Sequence, residues 1–291
     1  DINAYKHAIT NKNQLEYSAY IQHGKFYVAE MKAAQQQSLF DEAREKGSVT
    51  LLRQLKANFP NADFRALIDK EIHHIYETKW EKFKLQANNT DSKLMTTMEQ
   101  ILRYSEEHAD PTVHIAFIRP DTDLLATLDR RLRSQEYIVN KGKIALVARH
   151  FDMEENAARE KVLIAALNQR FAAVFPGDIL KFSADPSEGR PIFSITYQVL
   201  PSATTRTNTD GQAAFVDLTL RFNAELLVAK NPESWKFALD VPAPNKLDDR
   251  TQALGDDIYT FMTKAAFAQF ESNLASTFFK PDSDAFSIKV D

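Results

Sequence analysis

Apolar residues recur with a helical period over roughly the first third of the chain. Pairs three residues apart, such as Tyr17 with Tyr20 and Leu52 with Leu55, place their side chains on one face of a helix. An Asn or a Ser, both of which cap helix N-termini well, precedes each of these pairs. The pattern predicts helices over residues 4–10, 13–22, 27–45, 48–58, 63–86 and 91–107.

The pattern changes at Pro111, whose ring disfavours a helical conformation at the preceding residue. Residues 112–118 then form a β-branched and aromatic run that is typical of a strand. Three later segments alternate between apolar and polar residues, and this period of two predicts an antiparallel sheet with one apolar face. The alternating segments are residues 193–199, 216–223 and 235–241.

Longer apolar stripes predict helices that cover the apolar face of this sheet. The stripe over residues 153–175 is apolar around much of its circumference, so we expect this helix to be buried. A polar segment over residues 204–212 predicts a hairpin loop. The other predictions are helices over residues 121–135 and 255–279, a hairpin around 140–142 and an edge strand over 285–290.

These elements predict an α+β fold in two parts. We expect residues 1–109 to form a helical-hairpin repeat region. We expect residues 110–291 to form an α+β domain whose antiparallel sheet is covered on one face by helices.

Two segments of the first part are similar to each other at a period of about 35 residues. They are Tyr17–Phe26 (YSAYIQHGKF) and Leu52–Phe64 (LRQLKANFPNADF), each with an aromatic residue after a turn signal. Both segments resemble the helical hairpins of tetratricopeptide-like repeats in bacterial proteins, although the W-x-x-L-G start of the standard motif is missing. The resemblance implies stacked hairpins that bind a protein partner.

Composition excludes several classes of function. The chain has only 7 Gly, too widely spaced for a dinucleotide fingerprint, a P-loop or a nucleophile elbow. It has 0 Cys, which excludes thiolate metal sites, thiol nucleophiles and disulfides. The net charge is −4 and neither part is basic, so we expect no nucleic-acid partner. No apolar run is long enough to insert into a membrane, and we expect no cofactor and no metal.

The sequence offers few histidines as candidates for metal binding or catalysis. His73 and Glu77 lie one helical turn apart and could share a metal, but no third ligand accompanies them. They are better explained as an exposed polar helix face. His114 and His150 fall at predicted strands, where we expect structural histidines whose hydrogen-bonding groups are satisfied.

Two carboxylates, Asp121 and Asp123, follow the first predicted strand. Such a pair could carry acid–base chemistry or bind a cation. The simpler explanation is that they cap the next helix and interact with its dipole.

The polar face of the sheet offers a candidate binding surface. Alternation places polar side chains of two predicted strands on one face of the sheet. The simpler interpretation is that this face is solvated, and the alternative is that it is concave and binds a polar ligand. The candidate ligand-binding residues are Thr196, Asp217, Thr219, Arg221 and Asn223.

The function favoured by the sequence is a non-enzymatic binding or scaffolding protein that mediates protein–protein interaction. A start at Asp1 instead of Met predicts a processed fragment, and with the resemblance it favours a bacterial periplasmic location over a cytoplasmic one. One alternative is a small-molecule carrier that holds its ligand between sheet and helices. Another is an enzyme of unfamiliar type that uses Asp121, Asp123 or His150. The oligomeric state stays open.

Overall fold

The computed structural model describes residues 1–87, 92–119, 153–186, 190–207, 214–228, 235–243 and 258–278. These residues contain eight helices, mostly near the N-terminus, and a mixed sheet of five strands, which confirms the predicted α+β fold class. The chain divides into two units, Asp1–Glu81 and Lys82–Asp291. The boundary predicted between residues 109 and 110 stays a prediction.

The helices of the first unit follow the predicted ones closely. They are α1 (Ile2–Asn11), α2 (Gln14–His23), α3 (Val28–Glu45), α4 (Val49–Asn58) and α5 (Ala62–Gln86), the last of which runs across the division between the units.

Side-chain caps start two of these helices where the sequence predicts. The side-chain oxygen of Asn13 accepts a hydrogen bond of 2.9 Å from the backbone N–H of Leu15, at the start of α2. Ser48 does the same for Leu51 at 3.3 Å, at the start of α4. Each bond satisfies an amide that the helix itself leaves without a partner.

A single glycine makes the short connection between α3 and α4 possible. Gly47 has φ +58°, in the left-handed region that suits a residue without a Cβ. Its N–H binds the carbonyl of Arg44, and the N–H of Ser48 binds the carbonyl of Ala43. This Schellman arrangement ends α3, and the next residue caps α4, so the two helices form a tight hairpin.

The first three helices share a small core. Buried side chains of α1, α2 and α3 meet there, and α3 also packs against α4. Two tyrosines of the predicted apolar stripe of α2 lie in this core, where α2 contacts α3. The core residues are Ala8, Tyr17, Tyr20 and Met31.

The second unit places its strands in the order β2-β1-β3-β4-β5. The strand β1 pairs in parallel with β2 and β3, whereas β3, β4 and β5 pair antiparallel. The elements are α6 (Ser92–His108), β1 (Thr112–Ile118), α7 (Met153–Ala172), β2 (Lys181–Ser183), β3 (Ile192–Thr207), β4 (Ala214–Leu227), β5 (Trp235–Pro242) and α8 (Ile258–Phe278).

Some details of this unit differ from the sequence prediction. Residues 204–207, predicted as part of a loop, continue β3, which pairs with β4 as far as Thr207. The helix α7 is not buried all round, because Val162 on its outer face is 69% exposed. The parallel pairing of β1 was not predicted. The helix over 121–135, the hairpin around 140–142 and the edge strand over 285–290 lie outside the described residues.

The core of the second unit lies on the apolar face of the sheet. Phe193 and Phe222 project from neighbouring strands towards Phe270 of α8, with ring centroids 5.7 and 5.0 Å away. The helix α8 packs on β4 and β5, and α7 packs on β2. Alternation in the strands therefore creates one apolar surface, and the helices bury it as predicted.

An ion pair joins the segments that enter β1 and β3. Arg190 Nε donates to Asp110 Oδ2 at 2.6 Å, and Asp110 Oδ1 accepts from the N–H of Thr112 at 3.0 Å. Partial burial alone would raise the pKa of Asp110, but the hydrogen bonds from Arg190 and Thr112 hold it below the ordinary aspartate value.

This lowered pKa predicts a stability that depends on pH. Because the folded-state pKa lies below the unfolded one, Asp110 stabilises the fold above about pH 4 and stops doing so as the pH falls through the lowered value. We expect Asp110→Asn to be less stable than the wild type at neutral pH, with the difference shrinking in acid. The melting temperature of each variant, measured as a function of pH, tests this expectation. The control Glu99→Gln, at an exposed site, should keep the wild-type pH profile. An Asp110→Asn profile that runs parallel to the wild type would contradict the prediction.

Candidate functional site

Four of the five predicted ligand-binding side chains lie together on the polar face of the sheet. Thr196 of β3 is opposite Asn223 of β4, and Thr219 and Arg221 lie further along the same face of β4. Asp217 belongs to β4, but its side chain is outside the described part of the structure.

The charges of this face are neutralised across the strands. Arg221 donates two hydrogen bonds, of 3.0 and 3.1 Å, to the carboxylate of Asp240 on β5, and these bonds lower the pKa of that carboxyl. Lys236 and Glu225 form a second cross-strand ion pair at 2.9 Å. Such pairing is typical of a solvated sheet face. A ligand-binding role for the face stays a prediction.

The other residues singled out in the sequence are dispersed. His73 and Glu77 form an exposed pair at 3.2 Å on one helix face, as predicted. His114 differs from its prediction, because its Nδ1 is buried with no hydrogen-bond partner in the described structure. No three His, Asp or Glu side chains in the described ranges come together as a metal site. The residues of the enzyme alternative, Asp121, Asp123 and His150, lie outside those ranges.

A buried group of polar side chains, missed in the sequence, lies between the sheet and the two helices α7 and α8. Its members come from the end of β1, from the middle of β3 and from both helices. We call it the Arg119 cluster. It consists of Arg119, Asn156, Arg159, Glu160, Tyr197 and Tyr259.

The first half of the cluster is built around one carboxylate. The Tyr197 hydroxyl donates to Glu160 Oε1 at 2.7 Å. Arg119 Nε lies 3.8 Å from the same oxygen, an ion pair that is too long for a hydrogen bond. Both charged side chains are largely buried, with 14% of Arg119 and 12% of Glu160 exposed.

The second half joins α7 to α8. The Tyr259 hydroxyl donates to Asn156 Oδ1 at 2.8 Å, and Arg159 Nη2 donates to Thr260 Oγ1 at 2.9 Å. The guanidinium carbon of Arg159 also lies 5.3 Å from the centroid of the Tyr259 ring. These contacts hold the two helices in one fixed arrangement over the sheet.

Burial keeps both tyrosines of the cluster protonated. It raises the pKa of Tyr197, and the hydrogen bond to Glu160 raises it further. Burial also raises the pKa of Tyr259, although Arg159 and Arg119 act in the opposite direction. Both hydroxyls are therefore neutral hydrogen-bond donors at physiological pH, and neither is a candidate nucleophile.

The sequence does contain a signal for this cluster. Asn156 and Glu160 lie four residues apart and precede Leu163 and Leu167 on the same stripe of α7. Polar residues that continue an apolar stripe are expected to be buried with partners. The period of the stripe by itself predicts only a buried helix face, because the partners of Asn156 and Glu160 are distant in sequence.

An exposed apolar patch lies on the first unit. Phe26 and Tyr27, in the turn between α2 and α3, are 66% and 43% exposed, and Ile2 of α1 is about half exposed. The Tyr27 ring lies 4.9 Å from that of Tyr5, and the N–H of Phe26 donates to Asp1 Oδ2 at 3.0 Å, which brings α1 to the turn. We call Ile2, Phe26 and Tyr27 the aromatic patch.

The backbone of this turn is fixed from beneath. The hydroxyl of the buried Tyr20 donates a hydrogen bond of 2.7 Å to the carbonyl of Phe26. Gly24 lets the turn approach this ring, because a Cβ there would lie 2.7 Å from Tyr20 Cε1. Tyr27 has φ +54°, a left-handed conformation that is strained for an aromatic residue. The patch is therefore held in place rather than loosely attached.

The fold and these sites define an α+β protein with helical hairpins before a mixed sheet. No protein-family model matches the chain, and no relative is found among curated proteins. None of the described helices is both long and apolar enough to cross a membrane.

Proposed function

We propose that the chain is a non-enzymatic binding protein whose helical hairpins hold a protein partner through the aromatic patch. The observation that carries this proposal is the exposure of three large apolar side chains, Phe26 and Tyr27 on a fixed turn and Ile2 at the start of α1, where the preceding Asp1 is hydrogen-bonded to that turn. Clustered exposed apolar groups are a mark of interaction surfaces, whereas single ones are ordinary. The partner would present an apolar stripe of its own, such as one face of a helix.

The conformation of the patch supports this proposal. Hydrogen bonds from Tyr20 and to Asp1 fix the turn before any partner arrives, so little conformational entropy is lost on binding. Aromatic side chains are enriched among residues that dominate binding energy. Strained backbone conformations such as that of Tyr27 cluster at functional sites. An extracytoplasmic location, suggested by the resemblance to bacterial repeats, belongs to the same proposal.

Site-specific photo-crosslinking tests the proposal. A photoreactive phenylalanine analogue replaces Phe26 in one version of the protein and Leu15 in another. Both versions are expressed in cells of the organism that encodes the protein. Leu15 is the control because it is 79% exposed on the same unit but lies outside the patch. We expect a discrete protein adduct from position 26 and none from position 15. Equal labelling at both positions, or none at either, would refute the proposal.

A stability-matched variant separates binding from folding. Tyr27→Gly removes the ring but also relieves the left-handed backbone, so its two effects on stability oppose each other. We expect the adduct at position 26 to be lost while the melting temperature stays within a few degrees of the wild type. For a domain of this size, that range corresponds to a change of roughly 1 kcal/mol in the free energy of unfolding. An adduct of unchanged intensity would show that the patch is not the contact surface.

A further inference from the structure

We propose that two copies of this chain associate through the outer edge of β5, the side of the strand that faces away from β4. The strand pairs with β5 of the second copy in antiparallel orientation, centred on Ala238, and the two sheets become one. This contact uses the second unit and not the aromatic patch, so it stands apart from the proposed function.

The two edges of the sheet differ in how well they are protected against pairing. The strand β5 is the last in the sheet order, and among the described residues it pairs with β4 alone. It has 8 residues in continuous register, whereas β2 at the opposite edge has 3. Edge strands present unpaired N–H and C=O groups, and shortness or a bulge is a common protection against a second strand. Length protects β2, but β5 is long and regular.

The charged residues of β5 make the strand complementary to itself. Lys236 and Asp240 lie two positions before and after Ala238, and all three belong to the exposed polar face. Antiparallel pairing about Ala238 therefore places Lys236 directly opposite Asp240 of the second copy, and the reverse contact forms by symmetry. A shift of two residues in either direction loses both charge pairs, and a shift of one places polar residues opposite apolar ones. The strand thus specifies one register.

The ion pairs within each copy extend this complementarity to four strands. Lys236 binds Glu225 of β4 at 2.9 Å, and Asp240 binds Arg221 of β4 at 3.0 Å. Across the paired copies, the charges alternate in sign from Glu225 and Lys236 of one to Asp240 and Arg221 of the other. Opposite charges facing each other across strands are stabilising, and like charges are destabilising. The side chains of Lys236 and Asp240 are still 70% and 48% exposed, so both are accessible to a second partner.

The apolar face of β5 favours the same register. Phe237 and Leu239 on this face are only partly buried, whereas Phe222 on the neighbouring strand is 0% exposed. Pairing about Ala238 places Phe237 opposite Leu239 of the second copy, twice in each dimer, and removes apolar area from water. Both faces of the strand are therefore matched by a second copy of itself.

Sedimentation equilibrium of the full chain and two charge variants tests this proposal. We expect the wild type to form a dimer. Lys236→Glu makes both edge charges negative and Asp240→Lys makes both positive, so each variant places like charges opposite each other. We expect each to raise the dissociation constant of the dimer at least about tenfold.

Mixing the two variants in equal amounts is the decisive step. In a mixed dimer, the acidic pair of one copy faces the basic pair of the other, so we expect association to return to near the wild-type affinity. A variant that was merely misfolded would not be rescued in this way. A wild type that stays monomeric at its highest soluble concentration, or a mixture that does not associate, would overturn the proposal.

Matched charge reversals elsewhere control for net charge. Lys46→Glu and Asp69→Lys make the same changes in charge at exposed ion pairs of the first unit, with Glu42 and Lys56 as the respective partners. We expect both to leave the dimer unchanged. Weakening as large as that of the β5 variants would overturn the proposal, because the effect would then report on charge in general.

A single cysteine tests the register even if the charge variants fold poorly. The chain has 0 Cys, so Ala238→Cys introduces the only thiol, at an exposed position that faces its own copy across the symmetry axis. Residues directly opposite in antiparallel strands have Cβ atoms about 4.5–5.5 Å apart, which a small adjustment brings within reach of a disulfide. We expect mild oxidation to link two copies through Ala238→Cys but not through Val162→Cys, on the exposed side of α7. No linked dimer from Ala238→Cys, or equal yields from both, would refute the pairing.

Discussion

Replacing Phe270 with alanine is expected to lower the free energy of unfolding by about 3–5 kcal/mol. The side chain is 0% exposed and contacts three other rings, from β3, β4 and β5. Its ring centroid lies 5.7 Å from Phe193, 5.0 Å from Phe222 and 5.4 Å from Phe237. Truncation therefore removes buried apolar area and leaves a cavity that the three neighbouring strands facing α8 cannot close.

Chemical denaturation measures this effect. The chain has 2 Trp, so a Trp80→Phe background leaves Trp235 of β5, which stacks on Phe237, as the reporter for the sheet. The control is Val162→Ala, at an exposed site of α7, where we expect a change within about 0.5 kcal/mol. Similar losses in both variants would mean that the sheet and α8 do not form the central core of this unit.

Replacing Glu160 with alanine is expected to cost a comparable amount, about 3–5 kcal/mol, for an electrostatic reason. The change removes the carboxylate nearest to Arg119 and the acceptor of the hydrogen bond from the Tyr197 hydroxyl. Both groups are too buried for water to replace the lost interactions fully. The loss would reflect the penalty for an uncompensated buried cation rather than the net worth of the ion pair.

Two comparisons isolate this cause. Glu160→Gln keeps an acceptor for Tyr197 but still leaves the charge of Arg119 uncompensated, so it should lose nearly as much stability as Glu160→Ala. Glu107→Ala removes the partner of Arg103 from an exposed ion pair on α6, and we expect it to cost less than about 1 kcal/mol. The same denaturation experiment measures all three variants. A Glu160→Ala loss no larger than that of Glu107→Ala would show that the cluster is effectively solvated.

The helices of the first unit could be predicted to within a residue or two because local chemistry determines where they begin and end. Asn13 and Ser48 cap α2 and α4, and Gly47 ends α3, so each boundary is set by residues adjacent to it. The three antiparallel strands were predictable for a similar reason, since strict alternation encodes a strand with one buried face.

The rest of the sheet depends on partners that no local pattern reveals. The strand β2 has three residues, Lys181–Ser183, too few to show alternation. Residues 204–207 include three threonines, which favour strands, but they show no apolar face, and only their pairing with β4 identifies them as part of β3. Sequence reasoning also found the polar face of β4 but not the Arg119 cluster. That cluster is assembled from four segments far apart in the chain.

The position of β1 has a consequence for how the second unit is made. Both of its neighbours, β2 and β3, follow it in the chain, the nearer one beginning only at Lys181. During synthesis, the apolar segment Thr112–Ile118 therefore leaves the ribosome with neither of its hydrogen-bonding edges covered, and it stays so until the later strands emerge. Such non-local parallel pairing forms slowly. Translation that stalls before β3 would release a chain prone to aggregate through this strand.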